Sequence, residues 1–185
     1  MNEAAVNELV KQSKKGSAKA LTELLRWVVP LVHGTLFGMA RNHDLAQELT
    51  QEVAEVVVTR LASFKEGTRF RQWVLTIAAN RFRDHLRREK RQALPSTQLM
   101  KLHSPHGNPG KGVEKQAIQQ ELWTAINTLG EEERAIFCLR QVGELSFKEI
   151  AKALGKPLGT VLSIQHRAMA RLAQKINKSE LKNES

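Results

Sequence analysis

FRQWVLTIAANRFRDHLRR, residues 70–88, reads as a single α-helix buried on two sides. At about 100° per residue, Phe70, Val74, Ile77 and Ala78 fall on one apolar face, and Leu75, Ala79, Phe82 and Leu86 on a second. A helix with two such faces is sandwiched between other elements, not laid on a surface. Between the faces runs a third stripe of Trp73, Thr76, Asn80, Asp84 and Arg87, at the three- and four-residue steps that stack side chains along one side. That stripe must face something other than core. Arg81, Arg83, Arg87, Arg88, Lys90 and Arg91 load the C-terminal end with positive charge. The charge suits the helix macrodipole, but fewer cations suffice for one helix end, and the surplus is suited to phosphate oxygens.

Composition points the same way. Lys plus Arg number 29 against 19 for Asp plus Glu, a net charge of +10 over 185 residues, which makes nucleic acid the leading partner. A hydrophobic content of 41% is enough for ordinary helical cores, in one domain or two small ones. The single cysteine, Cys138, rules out an intramolecular disulfide. It lies in an apolar helical run, where it packs sooner than reacts, and a reducing cytoplasm fits. No apolar run approaches the roughly 18–20 residues that cross a bilayer, and the N-terminus lacks the apolar core of a signal peptide. The richest stretch, residues 24–32, is broken by Arg26 and Pro30. No membrane insertion is expected. His103 and His106 stand without nearby Cys or carboxylate support, so neither a metal nor any other cofactor is expected.

The chain alternates helical patterns and nowhere sustains the period-two alternation of a strand, so the expected fold is all-α. Ser17 caps a helix with Ala20, Leu21, Leu24, Leu25 and Val28 inward, which Pro30 kinks or interrupts before Met39. The pattern restarts at Asp44. From there Leu45, Leu49, Val53, Val56 and Val57 form a buried side, while Asp44, Glu48, Gln51, Glu52 and Glu55 gather on another. An acidic face on a basic protein is either solvated or a partner's landing place, and clustering of one sign favours the partner. The loop that follows, with Phe64, Lys65, Arg69 and Arg71 in and beside it, sets an aromatic residue among cations, unless Phe64 plugs the core instead. After Arg91 the periodicity dissolves into Pro95-Ser96-Thr97 and Ser104-Pro105-His106-Gly107-Asn108-Pro109-Gly110-Lys111-Gly112. The expected organisation is therefore a domain over residues 1–91, a flexible linker over 92–114, a second domain over 115–178 and a tail over 179–185.

In the second domain Ile118, Leu122, Ile126 and Leu129 precede a helix from about Glu131, whose three leading glutamates suit the N-terminal dipole end. Ile136 and Leu139, with Phe137 a further candidate, pack inward. Ser146 and Glu149 form a capping-box pattern that starts the next helix. That helix stops at Gly155-Lys156-Pro157 and the pattern restarts around Gly159-Thr160-Val161. Two helices joined by a short glycine-bearing turn, at about residues 146–171, form a helix-turn-helix, with an ordinary helical hairpin as the alternative. The second helix would enter the major groove of DNA. Ala151 is small where the helices cross, Val161 and either Ile164 or Met169 face the core, and Ser163, His166, Arg167 and Arg171 remain as contacts.

These residues resemble a bacterial RNA polymerase sigma factor of the extracytoplasmic-function group, over nearly the whole chain. DLAQELTQEVAEVV, residues 44–57, is similar to the segment that grips the clamp helices of core polymerase, which would make Asp44, Glu48, Gln51 and Glu52 polymerase contacts. The resemblance further implies that residues 64–71, Phe64, Lys65, Arg69 and Arg71 among them, with Trp73, Asn80, Arg83, Asp84 and Arg87 on the following helix, read and open the minus-ten element. LSFKEIAKALGKPLGTVLSIQHRAMARL, residues 145–172, looks like the helix-turn-helix that binds the minus-thirty-five element, through Lys156, Gly159, Thr160, Ser163, His166, Arg167 and Arg171. The helix over residues 131–142 would lie against the polymerase flap, and residues 94–112 would thread toward the active centre and RNA exit path. Core RNA polymerase, promoter DNA and an anti-sigma factor are the implied partners. No small-molecule substrate is implied, and the place of action is the bacterial cytoplasm.

The chain departs from that pattern at three positions. Relatives usually carry basic residues where this sequence has Leu162 and Ile164, and an aromatic residue where it has Ala54. Each lost phosphate contact lowers the salt dependence of binding by about one unit of slope. Upstream docking is then weaker, or Lys156, His166, Arg167 and Arg171 carry it, or Leu162 and Ile164 meet a protein. Two other readings compete: a sigma-like decoy that occupies an anti-sigma factor, and a stand-alone helix-turn-helix regulator, which leaves the acidic face without employment. An enzyme is the least expected reading, since no His, Cys or Ser has partners at a recognisable catalytic spacing and no glycine loop cradles phosphate.

Overall fold

The computed structural model describes residues 1–65, 69–92 and 125–183. Among these it contains seven α-helices and no strand: α1 (Glu3–Lys14), α2 (Ala18–Ala40), α3 (His43–Arg60), α4 (Phe70–Gln92), α5 (Glu131–Gln141), α6 (Phe147–Leu154) and α7 (Leu158–Asn183). A 3-10 turn, Leu61–Ser63, extends α3. Residues 93–114 of the expected linker, with the threading segment at 94–112 and both loop histidines, lie outside the described residues. So do residues 66–68 and the second domain's Ile118 and Leu122.

Side-chain caps set most starts. Asn2, Ser17, Asn42 and Ser146 each accept a hydrogen bond from the backbone N–H three residues on, satisfying donors that no helical carbonyl reaches. At α6 the box closes, since the Ser146 N–H donates to Glu149 Oε2 at 2.7 Å. Gly155 ends α6 in the left-handed region (φ 63°), where a side chain would be strained.

Two boundaries differ from expectation. Pro30 does not interrupt α2, which runs unbroken for 23 residues. Val28 and Val32, both fully buried, bracket the proline, and their packing outweighs one missing backbone donor. The tail expected from residue 179 is helical to Asn183, because α7 continues well past the core-facing Leu172.

α1 to α4 build the first core around Leu24, Val28, Leu36, Leu49, Val53, Phe70, Val74 and Phe82. α5 to α7 build the second around Ile136, Leu139, Ile150, Val161 and Ile164. These two halves are packed together, and α4 is the shared wall. Val74, Ala78 and Phe82 face the first core, with Ile77 and Leu86 against it, while Leu75 and Ala79 belong to the second. Phe82 and Leu86, further along the same stripe as Leu75 and Ala79, pack instead against the first core. In return α5 inserts Ala135 and Cys138 into the first core. Gly38 of α2 makes that possible, since a Cβ there would lie 2.6 Å from Cys138 Sγ. Deleting the fully buried Leu139 side chain with Leu139→Ala should lower stability by about 2–5 kcal/mol in urea melts, whereas Val58→Ala, at 43% exposure, should stay within about 0.5 kcal/mol.

Candidate nucleic-acid and polymerase interfaces

α3 presents its acidic residues outward. Its apolar positions Ala46, Leu49, Val53 and Val57 face the core, with Leu45 and Val56 partly covered. Asp44, Glu48, Gln51 and Glu55 are exposed, and Glu52 is half-buried where Arg81 of α4 pairs with it at 3.5 Å. Ala54 lies at the edge of this face, half-buried. The result is an anionic strip that no other part of the described chain covers, apart from the Arg81 contact.

The expected minus-ten residues divide into three groups. Phe64 is in the core at 5% exposure, its ring edge-on to Phe70 at 5.2 Å. Trp73 is partly buried beside both rings. Between the two possibilities for Phe64, its burial selects the plug. A second group is engaged by the other half of the molecule. Arg69 pairs with Glu149 at 3.2 Å and with Glu3 at 3.3 Å, and Arg71 pairs with Glu144 at 2.8 Å while stacking over Trp27. Arg83 donates to the Leu154 carbonyl, 2.7 Å away at the end of α6, and to Asn80 Oδ1. The third group, Lys65, Asp84 and Arg87, is exposed. Arg83, Arg87 and Arg91 share one wall of a cleft of about 410 Å³ with Lys156 from the second half, over an apolar floor of Phe82 and Leu86.

On α7 the structure resolves the remaining choice: Ile164 is buried and Met169 is 45% exposed. Ile164 therefore never faces DNA, and its apolar character needs no functional reading. Val161, Ile164, Gln165, Ala168 and Leu172 face inward, while Gly159, Thr160, Leu162, Ser163, His166, Arg167 and Arg171 face outward. Lys156, in the turn, pairs with Glu132 at 2.9 Å, and Arg171 with Glu133 at 3.0 Å.

Several residues of the joint between halves escaped the sequence reading. Arg134 is 7% exposed and donates from Nε to the Met39 carbonyl at 2.8 Å and from Nη1 to the Leu129 carbonyl at 3.0 Å. It thereby caps the C-terminal end of α2 from the other half. Burial first, and the Arg41 charge second, push its pKa below the usual guanidinium range. Arg41 adopts the left-handed region (φ 58°), which glycine usually fills, while its Nη1 reaches the Asn127 carbonyl at 3.5 Å. Glu144 and Glu149, the partners of Arg71 and Arg69, likewise had no local signature beyond the capping box. Among the described residues no three His, Cys, Asp or Glu groups are placed to hold a metal ion, and no helix is long and apolar enough to cross a membrane.

A helical bundle with an acidic outer helix and a two-faced basic helix, joined to a helix-turn-helix, defines the sigma-70 class of transcription proteins. Residues 24–92 match Sigma-70 region 2 and residues 125–174 match Sigma-70 region 4. SigD of Mycobacterium tuberculosis, an ECF RNA polymerase sigma factor, is 30% identical over 181 residues, covering 92% of this chain and 84% of the relative. CarQ of Myxococcus xanthus, an RNA polymerase sigma factor, is 28% identical over 168 residues, covering 91% and 95%. The chain spans 66% of the length of BldN of Streptomyces coelicolor, at 25% identity over 173 residues and 92% of this chain. Its fold is that of the sigma factor RpoE solved with the anti-sigma factor NepR from Bartonella quintana, at TM-score 0.67 and 22% identity over 86% of this chain and 98% of that one. CnrH, solved with the cytosolic domain of CnrY, superimposes at TM-score 0.64 and 19% identity, covering 94% and 98%. The chain belongs to the extracytoplasmic-function family of RNA polymerase sigma factors.

Cys138 reports on the joint. Burial raises its thiol pKa to about 12, with the Arg134 charge opposing, so at neutral pH it should resist an aromatic disulfide reagent until the halves separate or the chain unfolds. Rapid labelling of the native free chain would show that the joint is open in solution. Glu149 gives a pH signature. Burial works against its charge, but the backbone and hydroxyl bonds of Ser146 and the Arg69 bond and charge outweigh it, so its pKa lies below the ordinary 4.5. The stability it contributes is fully present above that ordinary value and is lost as pH falls through the lower folded one. Glu149→Gln should therefore lower the melting temperature at pH 7 and flatten its fall below about pH 4.5; an unchanged acid limb would remove Glu149 from the account.

Proposed function

We propose that this chain is a transcription initiation factor that binds core RNA polymerase through α3, opens the minus-ten element with α4 and its preceding loop, and docks the minus-thirty-five element through α6 and α7. The observation that carries the reading is the anionic strip of Asp44, Glu48, Gln51 and Glu52, covered only where Arg81 meets Glu52, on a chain of net charge +10. Such a strip repels DNA, so its partner is a protein, and family membership makes core polymerase that protein. The chemistry of RNA synthesis then stays with the polymerase, in the cytoplasm, and this chain supplies selection and strand separation.

Melting requires unstacking of bases at a few kcal/mol per step, offset when extruded bases are held on polar or aromatic surfaces and the freed strand on cations. Lys65, Asn80, Asp84 and Arg87, joined by Arg69, Arg71 and Arg83, provide those groups on α4 and its loop. Phe64, being part of the core, is left out of this set. The upstream half needs only to sit on intact duplex, positioning by phosphates and reading a few base edges through Thr160, Ser163, His166, Arg167 and Arg171, with Lys156 at the turn.

Arg69, Arg71 and Arg83 bind their own second half in the closed molecule, so they reach DNA only after the halves part. Polymerase binding is the event we assign to that parting. An anti-sigma protein would act in the opposite sense, and the complex of RpoE with the anti-sigma factor NepR supports such a partner.

The deciding experiment combines binding with transcription. Glu48→Lys with Gln51→Ala, both at exposed positions, should abolish co-elution with core polymerase while leaving the circular dichroism spectrum unchanged, and retained co-elution would remove the acidic strip from the reading. The wild-type chain with core polymerase should start transcripts from a pool of random promoters, with start sites sharing two upstream elements. Co-elution without transcripts would replace initiation with inhibition of the polymerase, and absence of both co-elution and duplex binding would assign the decoy role. Duplex binding without co-elution would assign the stand-alone regulator.

A further inference from the structure

The outer face of α7 is asymmetric. Gly159, Ser163 and Ala170 run down its middle, and a Cβ built on Gly159 would meet nothing within 4 Å. Small residues there let the helix approach another surface closely. One edge carries Thr160, Arg167 and Arg171, and the opposite edge carries Leu162, His166 and Met169, as 100° steps require. Leu162 is 44% exposed and Met169 45%, and both lie outside the three hydrophobic clusters. Among the described residues neither belongs to a packed cluster. Nor does the closing of the two halves cover this face, since Gly159, Thr160, Leu162, Ser163, His166 and Arg167 are all exposed in the closed molecule.

We infer that Leu162 is a specificity-determining residue that reads the C5-methyl group of a thymine in the major groove of the upstream element. The inference rests on the initiation-factor reading proposed above. Leu162 is in the first turns of the helix-turn-helix's second helix, the part that meets base edges. The Arg167 edge supplies the positive charge that seats the helix against one phosphate wall. An aliphatic side chain on the other edge gains nothing from phosphate, and the apolar group that a base pair displays in the major groove is the thymine methyl. A basic residue at this position would bind phosphate on any sequence or favour guanine O6 and N7, whereas leucine can do neither and favours the thymine methyl.

The test uses the full chain assembled with core polymerase. Duplexes selected from a pool randomised upstream of the start site are resynthesised with each upstream thymine replaced singly by deoxyuridine, which lacks only the methyl. Wild type should lose about fourfold in affinity at one or two positions, the worth of one buried carbon. Leu162→Ala should bind thymine and uridine duplexes alike at those positions, and Met169→Ala should discriminate as wild type does. Absence of any methyl effect in wild type, its survival in Leu162→Ala, or its loss in Met169→Ala would overturn the assignment. Weaker association of Leu162→Ala with core polymerase alone, without DNA, would also overturn it and assign the side chain to a protein contact. Failure of the wild-type chain to bind polymerase at all would instead bring down the initiation-factor reading, so the two failures are distinguishable.

Discussion

The rest of the structure depends on α4 being covered from both sides. Leu75 and Ala79, at 0% and 1% exposure, are buried by the second half, while Val74, Ala78 and Phe82 are buried by the first. Side chains one residue apart therefore answer to different cores. Any movement that releases the second half exposes Leu75 and Ala79, together with Ala135 and Cys138 on α5. The polar residues between the two buried faces, Asn80 and Arg83 above all, are held at the seam, and what they can bind depends on whether the seam is closed.

Charge follows from that geometry. Several of the chain's cations are already engaged: Arg81 with Glu52, Lys90 with Glu131, Lys156 with Glu132, Arg171 with Glu133, and Arg69 and Arg71 with Glu149 and Glu144. The net surplus of +10 is therefore not spread evenly over a docking face. Exposed Arg87 and Arg167 stand on opposite halves, one beside an amide and a carboxylate on α4, the other on the small-residue face of α7. Under the proposed function, separated strands and intact duplex would then meet different surfaces.

Local pattern was enough for the helices, for the Ser146 capping box, for Cys138 as a packing residue and for the outward acidic face of α3. It failed wherever the deciding partner is distant in sequence. The periodicity of α4 located two buried faces but could not say that Leu75 and Ala79 are covered by the second half, as the close approach of Leu75 to Gly143 illustrates. Ile164 and Met169 are both apolar and five residues apart, and only the crossing with α6 decides between them. Pro30 looked like a break because the cost of a missing donor is local, while the burial of Val28 and Val32 that outweighs it is tertiary. Arg134 was invisible for the same reason: its carbonyl partner at Met39 is 95 residues away.

The joint's composition decides what could open it. Its rim consists of arginine–carboxylate pairs with at least one exposed member, and such pairs contribute roughly 0–1 kcal/mol and weaken with salt. Its interior is apolar apart from Arg134, whose guanidinium bonds the Met39 and Leu129 carbonyls, and each fully buried Leu or Ile side chain there contributes about 1.5–3 kcal/mol. Ionic strength alone therefore loosens the rim and leaves the seam shut. A partner must bind the open form better than the closed one, and a shift from 1:99 to 99:1 needs a differential of about 5.5 kcal/mol. A nanomolar contact on α3 supplies about 12 kcal/mol in total, but if α3 is equally exposed in both forms, none of it drives opening. The differential has to come from surfaces that only the parted halves present, and the closed structure hides these at Arg134, Cys138 and the second face of α4.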